Sequence, residues 1–407
     1  MKLPNGWNLT PLGSVLERVS LPVDVDPTKE YREIGIRSHG KGIFHKPSVT
    51  GESLGEKRVF WVVPDTLVLN IVFAWEQAVA ITSENENGMI ASHRFPMYRS
   101  IDSRCDIRFL WQFFKTKRGK ELLEIASPGG AGRNKTLGQK EFERLRIPLP
   151  SNVEQVRIVQ VLAISAAMLE VTNRLLIATK KQRNGLATLL LSGKLRLPGF
   201  GKPWIRKSVR NMGKVVSGGT PNTSSPEYWD GDILWATPSD ISSIRGRYIH
   251  KTAHQITEQG LRNSATNLLP SGALLVCTRA TICELAIAAT SISTNQGFKN
   301  LIPSPKYDAE FLFHLFRSNK HRFKRMACGS TFLELSKHDF ERMEFLVPEY
   351  DEQIAISKRI NALEDQIAAI HSCIDNFRIQ KGALMQQLLL AKRRLLQEPI
   401  SVSLFSQ

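Results

Sequence analysis

The sequence predicts an α+β fold: two mixed α/β segments with curved sheets, alternating with two long helices in an internal repeat. Three observations predict it. EFERLRIPLPSNVEQVRIVQVL from Glu141 and DFERMEFLVPEYDEQIAISKRI from Asp339 superpose without a gap at an offset of 198 residues. The offset matches Phe142 with Phe340, Glu143 with Glu341, Arg144 with Arg342, Pro150 with Pro348, Glu154 with Glu352 and Gln155 with Gln353. Each copy continues into a long stretch of helical periodicity, and each is preceded by short runs rich in Val, Ile, Phe and Trp.

In chain order, PNGWNLTPLGSVLERVS near the N-terminus resembles KPWIRKSVRNMGKVVSGG from Lys202, so the duplication takes in the whole chain, about 1–195 and 196–396. In the first half RVFWVVP, TLVLNIVFAW and AVAIT read as strands of a strongly curved sheet, because β-branched and aromatic residues alternate with Gly, Pro, Asn and Ser clusters. Ile107 to Ile125 carry a helical period with cations on the other face, and SPGGAGRNKT from Ser127 reads as a loop. The second half repeats the order with DILWATPSDIS, ALLVCTRATI, LAIAAT and SISTNQGFKNLI as strands and AEFLFHLFRSNKHRFKRMA as the helix.

The long helices carry one apolar seam each. In the second, Ile356, Ile360, Leu363, Ile367, Ile370, Ile374, Phe377, Lys381, Leu384 and Leu388 alternate spacings of four and three. In the first, Leu162, Leu169, Leu176 and Leu190 fall on a seven-residue spacing with Arg183 at the missing step, and Ser165, Thr172 and Thr179 lie between. The pairing residues predicted are Leu162, Leu169, Leu176, Leu190, Ile360, Ile367, Ile374 and Leu388. A seam of small and polar residues suits close approach of a partner helix.

Composition bounds the function. At 407 residues the chain exceeds one compact core, and 55 Lys and Arg against 38 acidic residues give a formal charge of +17. That excess points to a polyanion. No run of 18 apolar residues occurs, and MKLPNGWNLT lacks a signal-peptide core, so a soluble, cytoplasmic protein without a membrane partner is expected. Cys105, Cys277, Cys283, Cys328 and Cys373 are scattered and never form C-x-x-C, so neither a disulfide framework nor a zinc finger is indicated.

Catalytic and metal motifs fail on spacing. SPGGAGRNKT lacks G-x-x-x-x-G-K-[ST], since Asn134 stands where the second Gly would be, and His250 and His254 have no Glu after the first His. No catalytic residue and no metal ligand is assigned. Binding loops are better supplied, because small residues let backbone N–H groups approach phosphates while cations and amides reach base edges. In the first half the candidates are Arg37, Ser38, His39, Lys41 and Lys46 of GIRSHGKGIFHK, with Arg133, Asn134 and Lys135 of GGAGRNK. In the second they are Ser239, Asp240, Arg245 and Arg247; Thr278, Arg279 and Thr281; and Asn295, Gln296 and Lys299.

The duplicated helix start, the GIRSHGKGIF turn, the VFAWEQAVA strand, the WATPSDIS strand and the TRATI and TNQGFKNLI stretches together resemble the DNA-specificity subunit of type I restriction-modification systems, over essentially the full length. The resemblance implies target-recognition domains at 1–146 and 196–345, conserved helical regions at 147–195 and 346–396, and a tail at 397–407. It implies that the two helices pack antiparallel, coiled-coil-like, with a pseudo-twofold relation between the halves. It also implies that each recognition domain reads one half of a bipartite double-stranded DNA target. The helices would set the spacer and dock two methyltransferase subunits, with separate motor-nuclease subunits joining for restriction. On that view the chain is not itself an enzyme and binds no cofactor; S-adenosylmethionine is carried by the methyltransferase subunits. Glu154 to Leu191 as a helix spans about 57 Å at ~1.5 Å per residue, placing half-sites about 34 to 50 Å apart. One departure is Gln77, where family members often have Gly. The alternative is a basic protein-interaction scaffold without sequence-specific DNA binding.

Overall fold

The computed structural model describes residues 3–129, 135–244, 246–279, 281–327 and 334–395. The chain divides into two compact units, the first made of residues 1–171 and 374–407, the second of residues 172–373. Each division therefore falls inside a long helix, within Asn152–Leu191 and Tyr350–Leu389. Packing explains why. In the first unit the head shares one core with Ile158 and Leu162, early in the first long helix, and with Leu388 and Leu389, at the end of the second. In the second unit the core takes Leu190 and Leu191 from the end of the first helix and Ile356 and Ile360 from the start of the second.

The head of the first unit has two four-stranded sheets. One runs Leu16–Val19, Met97–Ser100, Leu67–Leu69, Val79–Ile81, all antiparallel; the other runs Ile43–Thr50, Glu30–Ile36, Ile90–Ser92, Val59–Trp61, with one parallel contact at Glu33 and Ile90. A bulge between Arg32 and Ile34 bends the second sheet. In the second unit a five-stranded sheet (Gly213–Ser217, Lys299–Pro303, Leu274–Val276, Leu285–Ala288, Tyr248–Ile249) accompanies a three-stranded one (His254–Ile256, Trp229–Ala236, Ser293–Thr294). Each unit also pairs its N-terminal strand with the strand that precedes its long helix: Asn8–Pro11 with Arg146–Leu149, and Ile205–Ser208 with Glu344–Val347.

Three readings need correction. The continuous helix expected over Ile107 to Ile125 is two helices, Ile107–Phe114 and Lys117–Ile125, because the Thr116 hydroxyl accepts from Gly119 N at 3.0 Å and restarts the ladder. Its counterpart breaks at Asn319 into Ala309–Ser318 and Lys320–Met326. The stretch TLVLNIVFAW yields only the strand Leu67–Leu69 before turning into the short 3₁₀ helix Ala74–Glu76.

The duplicated Glu-Gln pair closes each unit in the same way. Gln155 accepts from Asp106 N at 2.7 Å and donates to Pro150 O at 2.9 Å; Gln353 accepts from Asp308 N at 3.0 Å and donates to Pro348 O at 2.9 Å. Asp106 and Asp308 cap the head helices, so one glutamine ties the long helix to the head. Buried Glu154 pairs with Arg394 at 3.0 Å, and buried Glu352 takes two bonds from Arg196 at 2.7 and 2.9 Å. Arg196 and Arg394 are themselves 198 residues apart. In the second unit, moving forward from Arg183 to Arg196 corresponds to moving back from Glu364 to Glu352, so the two helix halves there run antiparallel.

Every seam position named for the second long helix is buried or half-buried. Leu162, Leu176, Leu190, Ile360, Ile374 and Leu388 are buried, and Leu169 and Ile367 are half-buried. Thr179 is buried, Ser165 and Thr172 half-buried, and the hydroxyls of Ser165 and Thr179 donate back to Val161 O and Leu175 O in their own helix. The first helix also holds an 18-residue window of mean hydropathy 1.6, long and apolar enough to cross a membrane by length and composition alone.

Candidate nucleic-acid interface

In the first unit the turn between Glu30–Ile36 and Ile43–Thr50 is held from below by the segment after the short 3₁₀ helix. His39 N donates to Glu76 O at 2.7 Å, Gly40 N to Gln77 O at 2.9 Å, and Ser38 Oγ to Glu76 Oε2 at 2.9 Å. His39 and Gly40 take positive φ, 61° and 62°. The result is a tight turn that displays Arg37, His39 and Lys41 to solvent, Arg37 lying 5.0 Å over the Phe44 ring. Lys135 joins the patch 5.5 Å over Trp75. Lys46 lies farther along the strand, paired with Glu33 at 3.2 Å.

Gln77 is the pivot under that turn. Its backbone is left-handed, φ 62° and ψ 36°, a conformation that costs a non-glycine residue about 1 kcal/mol. Its side chain offsets the cost by donating to Phe114 O at 2.8 Å and Thr116 O at 3.3 Å. Glycine would meet the backbone requirement and lose both bonds.

In the second unit four loops converge on Gly297. Thr278 N donates to Gly297 O at 2.8 Å, Asn295 Oδ1 accepts from Gly297 N at 2.9 Å, and a Cβ placed on Gly297 would stand 3.5 Å from Pro238. The fourth loop, Gly218 to Asn222, was not singled out from sequence. Its signal is the Gly-Gly pair: a Cβ on Gly218 would meet Asn295 O at 1.9 Å and one on Gly219 would meet Thr266 N at 2.4 Å, so both positions exist for backbone approach. Thr220 bonds Gln296 across the cluster. Ser239, Arg279 and Gln296 are exposed there; Thr281 is half-buried.

Several predicted contact residues have other duties. Thr278 is fully buried, its hydroxyl on Gly297 O, so its side chain is spent inside the fold. Asp240 caps a short helix, accepting from Thr237 N at 2.8 Å and from Ala253 N at 2.8 Å. Asn295 and Lys299 are half-buried, Lys299 lying 3.5 Å from Glu334. Arg247 is drawn inward: its guanidinium lies 3.3 Å from Glu364 and 3.3 Å from Asp365. Arg133, Asn134 and Arg245 lie outside the described residues, as does Cys328.

Glu364 is the centre of a half-buried charge node. Arg317 and Arg183 also bond it, Arg183 at 3.0 Å, and His314 Nε2 lies 2.7 Å from Asn361. Burial pushes His314 down to about 4, despite Glu364 and Asn361 pulling the other way. Burial alone would raise Glu364, but Arg317, His314 and Arg183 outweigh it and hold the carboxylate below its ordinary range.

One pentapeptide could suggest hydrolase chemistry. Gly51, Glu52, Ser53, Leu54 and Gly55 have the G-x-S-x-G spacing, but Ser53 lacks the positive φ of a nucleophile elbow and its hydroxyl bonds Thr50 Oγ1 at 2.9 Å. Among the described residues no cluster of metal-ligating side chains occurs.

Comparison with known proteins agrees with this architecture. The sequence pattern of the family described as type I restriction modification DNA specificity domain matches residues 69–179 and 201–376. The chain is 35% identical over 168 residues to the type I restriction enzyme MjaIX specificity subunit of Methanocaldococcus jannaschii, covering 41% of this chain and 39% of that one. It is 26% identical over 224 residues to the EcoR124I/EcoR124II specificity subunit of Escherichia coli, covering 52% and 53%. The matches thus span about half or less of these relatives. The fold is shared with the HsdS subunit from Thermoanaerobacter tengcongensis, TM-score 0.60 at 17% identity over 96% of this chain and 98% of that one.

Proposed function

The chain belongs to the type I restriction-modification DNA specificity family, and from that premise we propose that it is the DNA-reading subunit of such a complex. Each unit reads one half of a bipartite duplex target, the first through the Arg37 to Lys41 turn and Lys135, the second through the loops around Gly297. The two long helices set the unread spacer and dock two methyltransferase subunits, which bring S-adenosylmethionine. Motor-nuclease subunits join the same assembly for restriction. The chain contributes recognition and no catalysis.

The observation that carries this reading is the convergence, in each unit, of exposed polar side chains on a patch where backbone comes close to the surface. Such a patch suits phosphate N–H contacts beside base-edge contacts. Cations such as those of the first unit can reach guanine edges and phosphate, while an exposed amide such as Gln296 can reach an adenine edge and hydroxyls such as Ser239 can bond either kind of base. Methyltransferase docking is supported by an apolar face on the first long helix, where Ile164, Met168 and Val171 are exposed. The matching positions of the second helix are Ala362, Gln366 and Ala369.

Duplex binding across a salt series tests the reading. Affinity should fall by roughly 0.9 log unit per log unit of salt for each phosphate neutralised. Target duplex should be bound more tightly than random duplex. Equal, salt-insensitive binding to both would favour a protein scaffold instead.

A further inference from the structure

The 198-residue repeat, applied to the charge node of the second unit, exposes an imbalance in the first. Arg183 corresponds to Lys381 and Glu364 corresponds to Ala166. The head helices align through their capping residues, Asp106 with Asp308, which sets Lys115 against Arg317. Their local geometry agrees: the Lys115 ammonium lies 4.0 Å over the Trp111 ring and the Arg317 guanidinium 4.9 Å over Phe313. Two of the node's three cations thus have lysine counterparts in the first unit, and the carboxylate between them is replaced by a methyl group. Among the described residues neither Lys115 nor Lys381 forms an ion pair, and both are half-buried. Because Arg183 and Arg317 both bond Glu364, the repeat sets their counterparts Lys381 and Lys115 on either side of the Ala166 position with no carboxylate between them; burial and the charge of Lys381 both lower Lys115.

We propose that Lys115 and Lys381 clamp one phosphate of the DNA backbone. The clamp rests on the DNA-reading function above and gives it a second element beneath the recognition turn. A phosphate is favoured over a protein carboxylate by what lies against Lys115. The turn bearing exposed Arg37, His39 and Lys41 packs on its stem, so closely that a Cβ on Gly40 would stand 2.8 Å from Lys115 Cγ. An anion held by this lysine is therefore neighbour to the groups proposed to face DNA. The second unit needs no such anion, because Glu364 already occupies the place.

The test uses the full chain assembled with its modification subunits and two variants. Ala166→Glu supplies the missing carboxylate; Lys381→Gln removes one arm of the clamp and guards against a failure of the first variant to fold. Both should keep the same target sequence and lose about 0.9 from the slope of log affinity against log salt, one phosphate's worth. Ala166→Glu should also raise the melting temperature of the DNA-free protein. Unchanged slopes in folded variants overturn the clamp while leaving DNA reading intact. Unchanged slopes with weaker assembly would assign the place to a partner carboxylate, and equal protection by inorganic phosphate alone would assign it to the free anion; either result overturns the proposal. A wild-type assembly that binds no duplex overturns the clamp and the DNA-reading function together.

Discussion

The start of each long helix and the junction of each helix with its head have diverged to different degrees in the two units. At the helix start, Glu154, Gln155 and Arg394 of the first unit make the bonds that Glu352, Gln353 and Arg196 make in the second, almost atom for atom. At the junction, three arginines and a neutral histidine surround Glu364 in the second unit, while the first has Lys115, Lys381, Gln112 and Ala166. The clamps that hold helix to head tolerate little change, since each satisfies buried polar groups at a helix terminus. Charge at the junction is free to differ, provided each unit is neutralised from within or from outside.

Removing Glu364 is the strongest way to break this comparison. Glu364→Ala leaves Arg183 and Arg317 without their carboxylate and Arg247 with only Glu310 and Asp365, and should cost about 2–3 kcal/mol, less than the roughly 3–5 kcal/mol of a fully buried pair because the node is half-buried. Hydrogen exchange should show the loss in the second unit, with the first unit's amides unchanged.

Acid should act on the same side. The folded second unit holds His314 neutral down to about pH 4, whereas the unfolded chain protonates it near the ordinary value of 6.5. The unfolded state then binds more protons between those values, so stability falls as pH drops through that window, on the order of 3 kcal/mol in all. Glu364, held low, adds loss in the same direction once pH passes below its ordinary value. His314→Gln, which copies Gln112 of the first unit, should flatten the pH dependence of denaturant midpoints; an unaltered profile would place the titrating group elsewhere.

The clasps should separate less. Glu352 is bonded by Arg196 and by Trp204 Nε1 at 3.2 Å, whereas the Arg394 partner of Glu154 is more exposed and better screened. Glu352→Gln should cost about 2 kcal/mol and Glu154→Gln about 1 kcal/mol in urea unfolding. Equal costs would show that solvent screening does not distinguish the two units. The smallest effect belongs to Gln77→Gly, where relief of the left-handed backbone nearly cancels two lost hydrogen bonds and the net change should stay within about 1 kcal/mol.

Much of the scaffold was legible in the sequence because its contacts are local or repeated. The Glu-Gln pair and the seam positions follow from periodicity and from one offset, whereas the paired strands Glu30–Ile36 and Ile43–Thr50 went unread and the end of DILWATPSDIS is the helix Pro238–Ser243. The interface was only partly legible. Arg247 looks like a loop cation, and nothing in its neighbourhood announces Glu364 and Asp365 more than a hundred residues away. Thr278 reads as a loop hydroxyl until the backbone of Gly297 arrives beside it. The split of the Ile107 to Ile125 stretch at Thr116 could have been read, since Thr three residues before Gly is a usable N-cap, but the apolar period masks it.

Mapping N6-methyladenine across the genome of cells that express this chain with the methyltransferase subunits proposed to dock on it tests the central claim most directly. Wild type should yield one bipartite target with an unread spacer. His39→Ala with Lys41→Ala should relax one half alone, and Ser239→Ala with Gln296→Ala the other half alone. A continuous target, or a change in both halves from either pair, would contradict the account.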